Sequence, residues 1–212
     1  MMSRIICLII GYLFGTFQTS YFIGRARGLD IREFGSGNAG TTNAMRVLGK
    51  KSGWITVIID ILKCIIAVII TWLIFRKSGY VPLLKIYTSL GAVLGHDFPA
   101  FLKFRGGKGI ATTAGMIIAF GDWRLIVLGV ACFFIPVLIT HHVSVGSLCL
   151  SVSFLVGTIL CGQLGSYGMP QNLLTEMYIL IAAITALAFF QHRGNLKRLA
   201  EGTERTVWVR KK

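Results

Sequence analysis

Seven apolar stretches, each 12 to 22 residues long and nearly free of charge, constrain this chain more than any other feature. They cover residues 5–24, 54–75, 80–95, 110–121, 124–140, 143–162 and 173–190. A two-layer soluble globule cannot bury so many unbroken apolar blocks, whereas a bilayer core of about 30 Å is crossed by about 20 helical residues. Composition agrees. Of the 212 residues 54% are hydrophobic and only 14% charged, against roughly 25% charged in a typical soluble domain. The expected fold is an all-α integral membrane protein, a seven-span helical bundle forming one domain over residues 1–212. The third and fifth stretches are slightly short for a span. The fourth, 110–121, is short enough to be a partial or re-entrant helix. Pro136 lies inside the fifth, where neighbouring helices tolerate its missing hydrogen bond. No A-x-A site follows the first stretch, so it is expected to remain as an anchor.

The net charge of +14 could indicate nucleic acid, but the positions of the charges argue otherwise. Sixteen of the 22 Lys and Arg residues fall in three connecting segments. Residues 25–53 carry Arg25, Arg27, Arg32, Arg46, Lys50 and Lys51; residues 96–109 carry Lys103, Arg105 and Lys108; the tail carries Arg193, Lys197, Arg198, Arg205, Arg210, Lys211 and Lys212. The positive-inside rule places all three in the cytoplasm. Seven spans satisfy this, with the N-terminus outside and the C-terminus inside. Five spans, with two segments demoted to partial helices, keep the same parity. Basic cytoplasmic flanks also attract anionic lipid, so no nucleic-acid partner is expected. The five cysteines are scattered singly through apolar stretches and read as small core hydrophobes rather than metal ligands or disulfides.

The three basic segments carry the polar chemistry. The first contains Gly35-Ser36-Gly37-Asn38-Ala39-Gly40-Thr41-Thr42-Asn43, then Arg46. Alternating glycines free the backbone for positive φ, successive amides form an anion-binding concavity, and Arg46 adds a planar fork suited to phosphate. The second runs from Gly95 through Arg105-Gly106-Gly107-Lys108-Gly109 into an apolar helix, so amides and a positive helix end stand beside Lys108. It is not a Walker A loop, because Lys108 is followed by glycine. Phe98, Phe101 and Phe104 in this segment read as an interfacial aromatic anchor. In the tail, His192 and Asn195 share a helical face if the last helix continues. Parity also puts the His141–Ser144 connection in the cytoplasm, bringing Ser144 and Ser147 toward the same side. Asp60 and Lys63 share a face about 9–14 Å along the second span from Trp54. They read as an ion pair that fixes helix packing.

Some chemistry is missing. None of His96, His141, His142 and His192 is followed five positions later by Asp; those places hold Phe101, Gly146, Ser147 and Lys197. No G-x-S-x-G elbow surrounds a serine. An acyltransferase of this composition needs an already activated donor, or a base supplied by its substrate. The residues alone leave three classes open: a transferase acting on phosphorylated substrates, a transporter of small phosphorylated anions, and a membrane scaffold binding anionic lipid, which explains the tail but not the glycine motifs. A transporter calls for ionisable groups at mid-bilayer, and only Asp60 and Lys63 lie deep in a span.

Taken in order between these spans, GSGNAGTTN at 35–43, GHDFPAFLKFRGGKGIATT at 95–113 and HRGNLKRLAEGTE at 192–204 closely resemble the bacterial acyl-phosphate:glycerol-3-phosphate acyltransferase family, PlsY. The DxxK pair Asp60 and Lys63 also resembles that family. The resemblance implies a seven-span enzyme of the bacterial cytoplasmic membrane, with its site facing the cytoplasm. Its activity would be transfer of a fatty acyl group from acyl-phosphate to the 1-hydroxyl of glycerol 3-phosphate, without cofactor, metal or obligate protein partner. On the matching positions it implies catalytic roles for Ser36, Lys108, His192 and Asn195. It also implies phosphate binding by Arg46 and the glycine-rich loop with Gly35, Gly37 and Gly40, to which the reading of the residues adds Asn38, Thr41, Asn43, Gly106, Gly107 and, by parity, Ser144 as substrate-binding. Ala39 and Thr41 depart from the usual first motif. Gln191 stands where the family often has a second His, so position 191 supplies no base here, and Gly194 stands where Glu is frequent.

Overall fold

The computed structural model describes residues 1–206, and all seven apolar stretches are helical in it. No strand occurs among the described residues. Three of the tail bases, Arg210, Lys211 and Lys212, lie outside them. Five helical stretches are long and apolar enough to cross a membrane: Met2–Arg25, Lys50–Phe75, Trp123–Thr140, Val143–Gln163 and Gln171–Gln191. The remaining two are shorter. Val81–Asp97 has 17 residues and Ile110–Phe120 has 11. At 1.5 Å per residue the latter is about 16 Å long, half a bilayer core, in keeping with the partial helix expected there.

The chain divides into two compact units, the first Met1–Phe120 and the second beginning at Gly121. The first contains α1 (Met2–Gly15), α2 (Thr19–Arg25), α3 (Thr41–Val47), α4 (Lys50–Phe75), α5 (Val81–Asp97) and α6 (Ile110–Phe120). Here the first apolar stretch departs from the continuous helix expected of it. The chain becomes extended at Gln18, which separates α1 from α2. Lipid offers no donor to a freed backbone carbonyl. The Phe17 carbonyl instead accepts a hydrogen bond from Lys63 Nζ at 2.7 Å, so a charged side chain of α4 completes the break.

Helices α1 and α5 pack backbone to backbone. Gly11 and Gly15 on one, and Gly91 and Gly95 on the other, repeat at four-residue spacing. A Cβ at any of the four would overlap the opposite main chain, at Thr88, Ala92, Leu8 and Tyr12 respectively. Small residues at this spacing let membrane helices approach closely where no hydrophobic driving force exists between them. The half-length α6 ends against Lys85 of α5, whose ammonium donates to the Ala119 and Phe120 carbonyls at 3.1 and 3.0 Å. Orphan carbonyls at a helix end need such donors when water is absent.

The basic segment between α2 and α4 folds over a small core of its own, Ile31, Ala39, Ala44 and Leu48. Two of its arginines fasten it. Arg27 donates to the Leu48 carbonyl and to Ser52 Oγ. Arg32 grips Asp30 with both arms, donates to the Leu102 carbonyl and lies over the Tyr21 ring.

The second unit is a run of helical hairpins: α7 (Trp123–Thr140), α8 (Val143–Gln163) and α9 (Gln171–Gln191), then the short α10 (Arg193–Ala200). Asp122 caps α7 by accepting from the Arg124 amide. Pro136 stays inside α7, as expected. His141, at φ 60°, turns the chain into α8.

Candidate active site

In the first unit the glycine-rich loop 35–43 is built by a buried asparagine. Asn43, 1% exposed, accepts from the Ser36 amide at 2.9 Å and donates to the Ile31 and Phe34 carbonyls at 3.2 and 3.0 Å. These three backbone bonds make Asn43 the residue that shapes the loop. Gly35 and Gly37 take the positive φ expected of them, 65° and 72°. The result lifts Ser36 to the surface between them. Asn38, Gly40 and Thr41 are half-buried along the loop's return to α3, and Arg46 is exposed one turn further along that helix.

The second glycine-rich segment closes on the end of α5. The Gly106 and Gly107 amides donate to the Asp97 and His96 carbonyls at 3.1 and 3.0 Å. Gly109, at φ 71°, then turns the chain into α6. Ahead of it Lys103 and Phe104 both hold left-handed backbone, at φ 55° and 60°, a conformation that costs a non-glycine residue about 1–3 kcal/mol. That tight turn exposes Phe101 and Phe104, and Phe101 stacks on Phe22 and meets Tyr21 edge-on. Two rings of the expected aromatic anchor thus face outward, and Phe98 is half-buried. The Ala39 amide donates to the Gly106 carbonyl at 3.4 Å. Loop 35–43, including Ser36, is thereby joined to the turn that precedes Lys108 at the N-terminal end of α6. Beside this junction the hydrogen-bonded Arg32 guanidinium holds the Asp30 carboxyl below the usual carboxylate range, against the weaker effect of burial.

In the second unit the expected residues gather on an acid that the residue pattern did not single out. Glu204 Oε1 accepts from Asn195 Nδ2 at 2.6 Å and from Ser144 Oγ at 3.2 Å, and Oε2 accepts from Arg198 Nε at 2.8 Å. Glu204 is one of two acidic residues, with Glu201, in the basic motif 192–204, and nothing local marks it out. Burial alone would raise the Glu204 carboxyl, but bonds from Asn195, Arg198 and Ser144 and the Arg198 charge together hold it below its ordinary value. His192 sits at the junction of α9 and α10, 4% exposed. The helix bends there but its hydrogen bonding continues, since the Leu196 amide donates to the His192 carbonyl at 2.8 Å. His192 Nδ1 stands 2.7 Å from the Ala188 carbonyl. A carbonyl only accepts, so Nδ1 carries a proton and donates to it. Ser147 is turned back on its own helix, donating to the Val143 carbonyl.

Comparison with known proteins points one way. The sequence profile of the family described as "Glycerol-3-phosphate acyltransferase" matches residues 5–202. A glycerol-3-phosphate acyltransferase of Clostridioides difficile is 40% identical over 211 residues, covering 99% of this chain and 98% of that protein. One from Endomicrobium trichonymphae is 38% identical over the full length of both. Among solved structures, PlsY (YgiH), an integral membrane glycerol 3-phosphate acyltransferase in its glycerol 3-phosphate form, superposes with a TM-score of 0.84 at 30% identity. That match covers 97% of this chain and 96% of the other.

Proposed function

The chain belongs to the glycerol-3-phosphate acyltransferase family, and from that premise we propose that it transfers a fatty acyl group from acyl-phosphate to the 1-hydroxyl of glycerol 3-phosphate, giving lysophosphatidic acid and phosphate. Both substrates bear phosphate. The observation that carries the reading is the Ala39–Gly106 junction, which joins the loop bearing the exposed Ser36 to the turn before Lys108 at the N-terminal end of α6. The missing His-x4-Asp pattern supports an acyl-phosphate donor, because a mixed anhydride arrives already activated.

The glycerol hydroxyl oxygen attacks the acyl carbon directly. The ester C–O bond forms as the C–O bond to phosphate breaks, and phosphate leaves with the bonding electrons. The Ser36 hydroxyl donates to phosphate oxygens, while Arg46 and Lys108 offset their charge. Such positioning and electrostatic stabilisation each contribute several kcal/mol. Asn195 and Ser144 act from the cluster that Glu204 organises. The proton of the attacking hydroxyl leaves to His192 or to a substrate phosphate. No cofactor or metal enters these steps.

We read residues 1–212 as one acyltransferase domain, supported by the unbroken family match over 5–202. In the membrane the reading is seven segments, five full-length and two short, with the C-terminus and the three motifs on the cytoplasmic side of the bacterial inner membrane. The charge distribution supports that orientation.

Acyl transfer to labelled glycerol 3-phosphate by the purified protein, offered palmitoyl-phosphate or palmitoyl-CoA, tests the proposal. Lysophosphatidic acid from the phosphate donor alone is expected, and product from the CoA donor overturns the choice of donor. Lys108→Ala is expected to lower turnover by orders of magnitude. Near-wild-type activity would remove Lys108 from the mechanism.

A further inference from the structure

The buried ion pair of α4 continues into a third residue that the activity has not used. Asp60 and Lys63 are 1% and 5% exposed, and the Lys63 ammonium is surrounded by three acceptors. These are Asp60 Oδ1 at 2.9 Å, the Phe17 carbonyl at 2.7 Å and His96 Nδ1 at 2.7 Å. An ammonium has protons and no lone pair, so the nitrogen of His96 facing it must accept. A neutral imidazole that accepts at Nδ1 carries its proton on Nε2, a tautomer assigned here from its partners. The alternative, an imidazolium paired with Asp60, requires a bond from Nδ1 to Oδ1, and those atoms stand 3.9 Å apart. That is beyond hydrogen-bond range.

The other edge of the ring faces the glycine-rich turn. His96 is 3% exposed, and a Cβ added to Gly107 would overlap Nε2, so the imidazole lies directly against that glycine. Gly107 donates its amide to the His96 carbonyl at 3.0 Å, and Gln18 Nε2 donates to the same oxygen at 2.8 Å. Ring and turn are thus held as one piece. Among the described residues no protein acceptor bonds to Nε2. This N–H, without a protein partner, abuts the turn that precedes Lys108.

We propose that His96 is an anion-binding residue. Its Nε2–H donates to a phosphate oxygen held over Gly106–Gly107, and Asp60, Lys63 and Gln18 are positioning residues that fix its tautomer and orientation. The inference rests on the reading of this turn as a phosphate site. A neutral donor suits a site already holding Lys108, because it adds a directed bond without a further cation. Asp60 balances Lys63, so the network that aims the donor brings no net charge. The phosphate bound here belongs either to the acyl donor or to glycerol 3-phosphate.

Two measurements on the full chain test this. In protein labelled with 15N-histidine, the His96 signals are identified by their loss in His96→Gln. The expected spectrum has the proton on Nε2, with that signal moving when inorganic phosphate is added at concentrations that inhibit the enzyme. A proton on Nδ1, or an Nε2 signal that stays still as phosphate inhibits, overturns the proposal. The second measurement compares His96→Asn, which keeps a polar atom near Nδ1 but loses the outer donor, with His96→Gln, which restores an N–H near Nε2. The Asn variant is expected to raise KM for one phosphate substrate by about tenfold or more, with the Gln variant recovering most of it. The substrate affected identifies whose phosphate is bound. Equal loss of kcat in both variants, with KM unchanged and lower melting temperatures, would make His96 merely structural. Wild-type activity with palmitoyl-phosphate is measured alongside, so failure of the functional assignment is seen separately from failure of this one.

Discussion

Each unit places a buried histidine at the end of a long helix, and the two rings are held in opposite senses. In the first, Lys63 donates to Nδ1 of His96, which leaves an N–H at Nε2. In the second, Nδ1 of His192 donates to the Ala188 carbonyl. A neutral ring that accepts at one nitrogen donates at the other, while a ring that donates at one can take up a proton at the other. Residue type alone does not decide between these roles. The partner of the inner nitrogen does.

The largest effect expected from this contrast is on turnover. His192→Ala removes the acceptor and is expected to lower kcat by about 10²–10⁴-fold, the usual contribution of a positioned acid or base. KM should change little, whereas His96→Asn acts mainly on KM. The two profiles are read from initial rates over both substrates. A KM effect from His192→Ala with kcat intact would collapse the distinction. Next in size is Lys63→Ala. It leaves Asp60 charged and buried, and takes the donor from the Phe17 carbonyl and from His96. Breaking one partner of a buried pair costs about 3–5 kcal/mol, so a marked drop in melting temperature in detergent is expected. Replacing both charges, Asp60→Leu with Lys63→Met, should recover much of that loss. Failure to recover would show that the Phe17 and His96 bonds matter more than the charge.

The asymmetry between the units also explains what could be read in advance. Helix positions were legible because a bilayer requires long apolar runs, and α4, α8 and α9 match theirs within a few residues. The glycine-rich loops were legible because alternating glycines mark backbone that other residues avoid. The break after α1 was not. Thr16-Phe17-Gln18 contains neither Gly nor Pro, and what completes the break is Lys63, 46 residues away. Asn43 reads as a ligand because polar residues in a glycine-rich loop usually do, and its hold on the Ser36 amide and on the Ile31 and Phe34 carbonyls was not legible. The residue pattern gave Glu204 no role. Its role depends on Ser144, 60 residues earlier. In each case the decisive partner is remote in sequence, and local pattern carries no trace of it.

The smallest effect belongs to Glu204, and its dependence on pH separates an exposed network from a sealed one. Its side chain is 7% exposed and paired with an Arg198 that is 40% exposed. Glu204→Gln keeps the shape but removes the charge, and is expected to cost about 1–3 kcal/mol at neutral pH, the range for hydrogen bonds to a charged group. The carboxyl is held below its ordinary value in the folded protein. The folded state therefore binds this proton less readily than the unfolded chain. The stabilisation is complete above the unfolded pKa, about 4.3, and is lost as pH falls through the lower folded value. Melting temperatures of wild type and Glu204→Gln should run parallel from pH 7 to about 5 and converge below that as the wild type loses its extra bonds. Asp30 and Asp122, also held low by neighbouring arginines, shape the acid limb of both curves and cancel in the difference. Curves that stay parallel into acid would mean that Glu204 acts through packing, and the charge would drop out of the account of how Ser144 and Asn195 are held together.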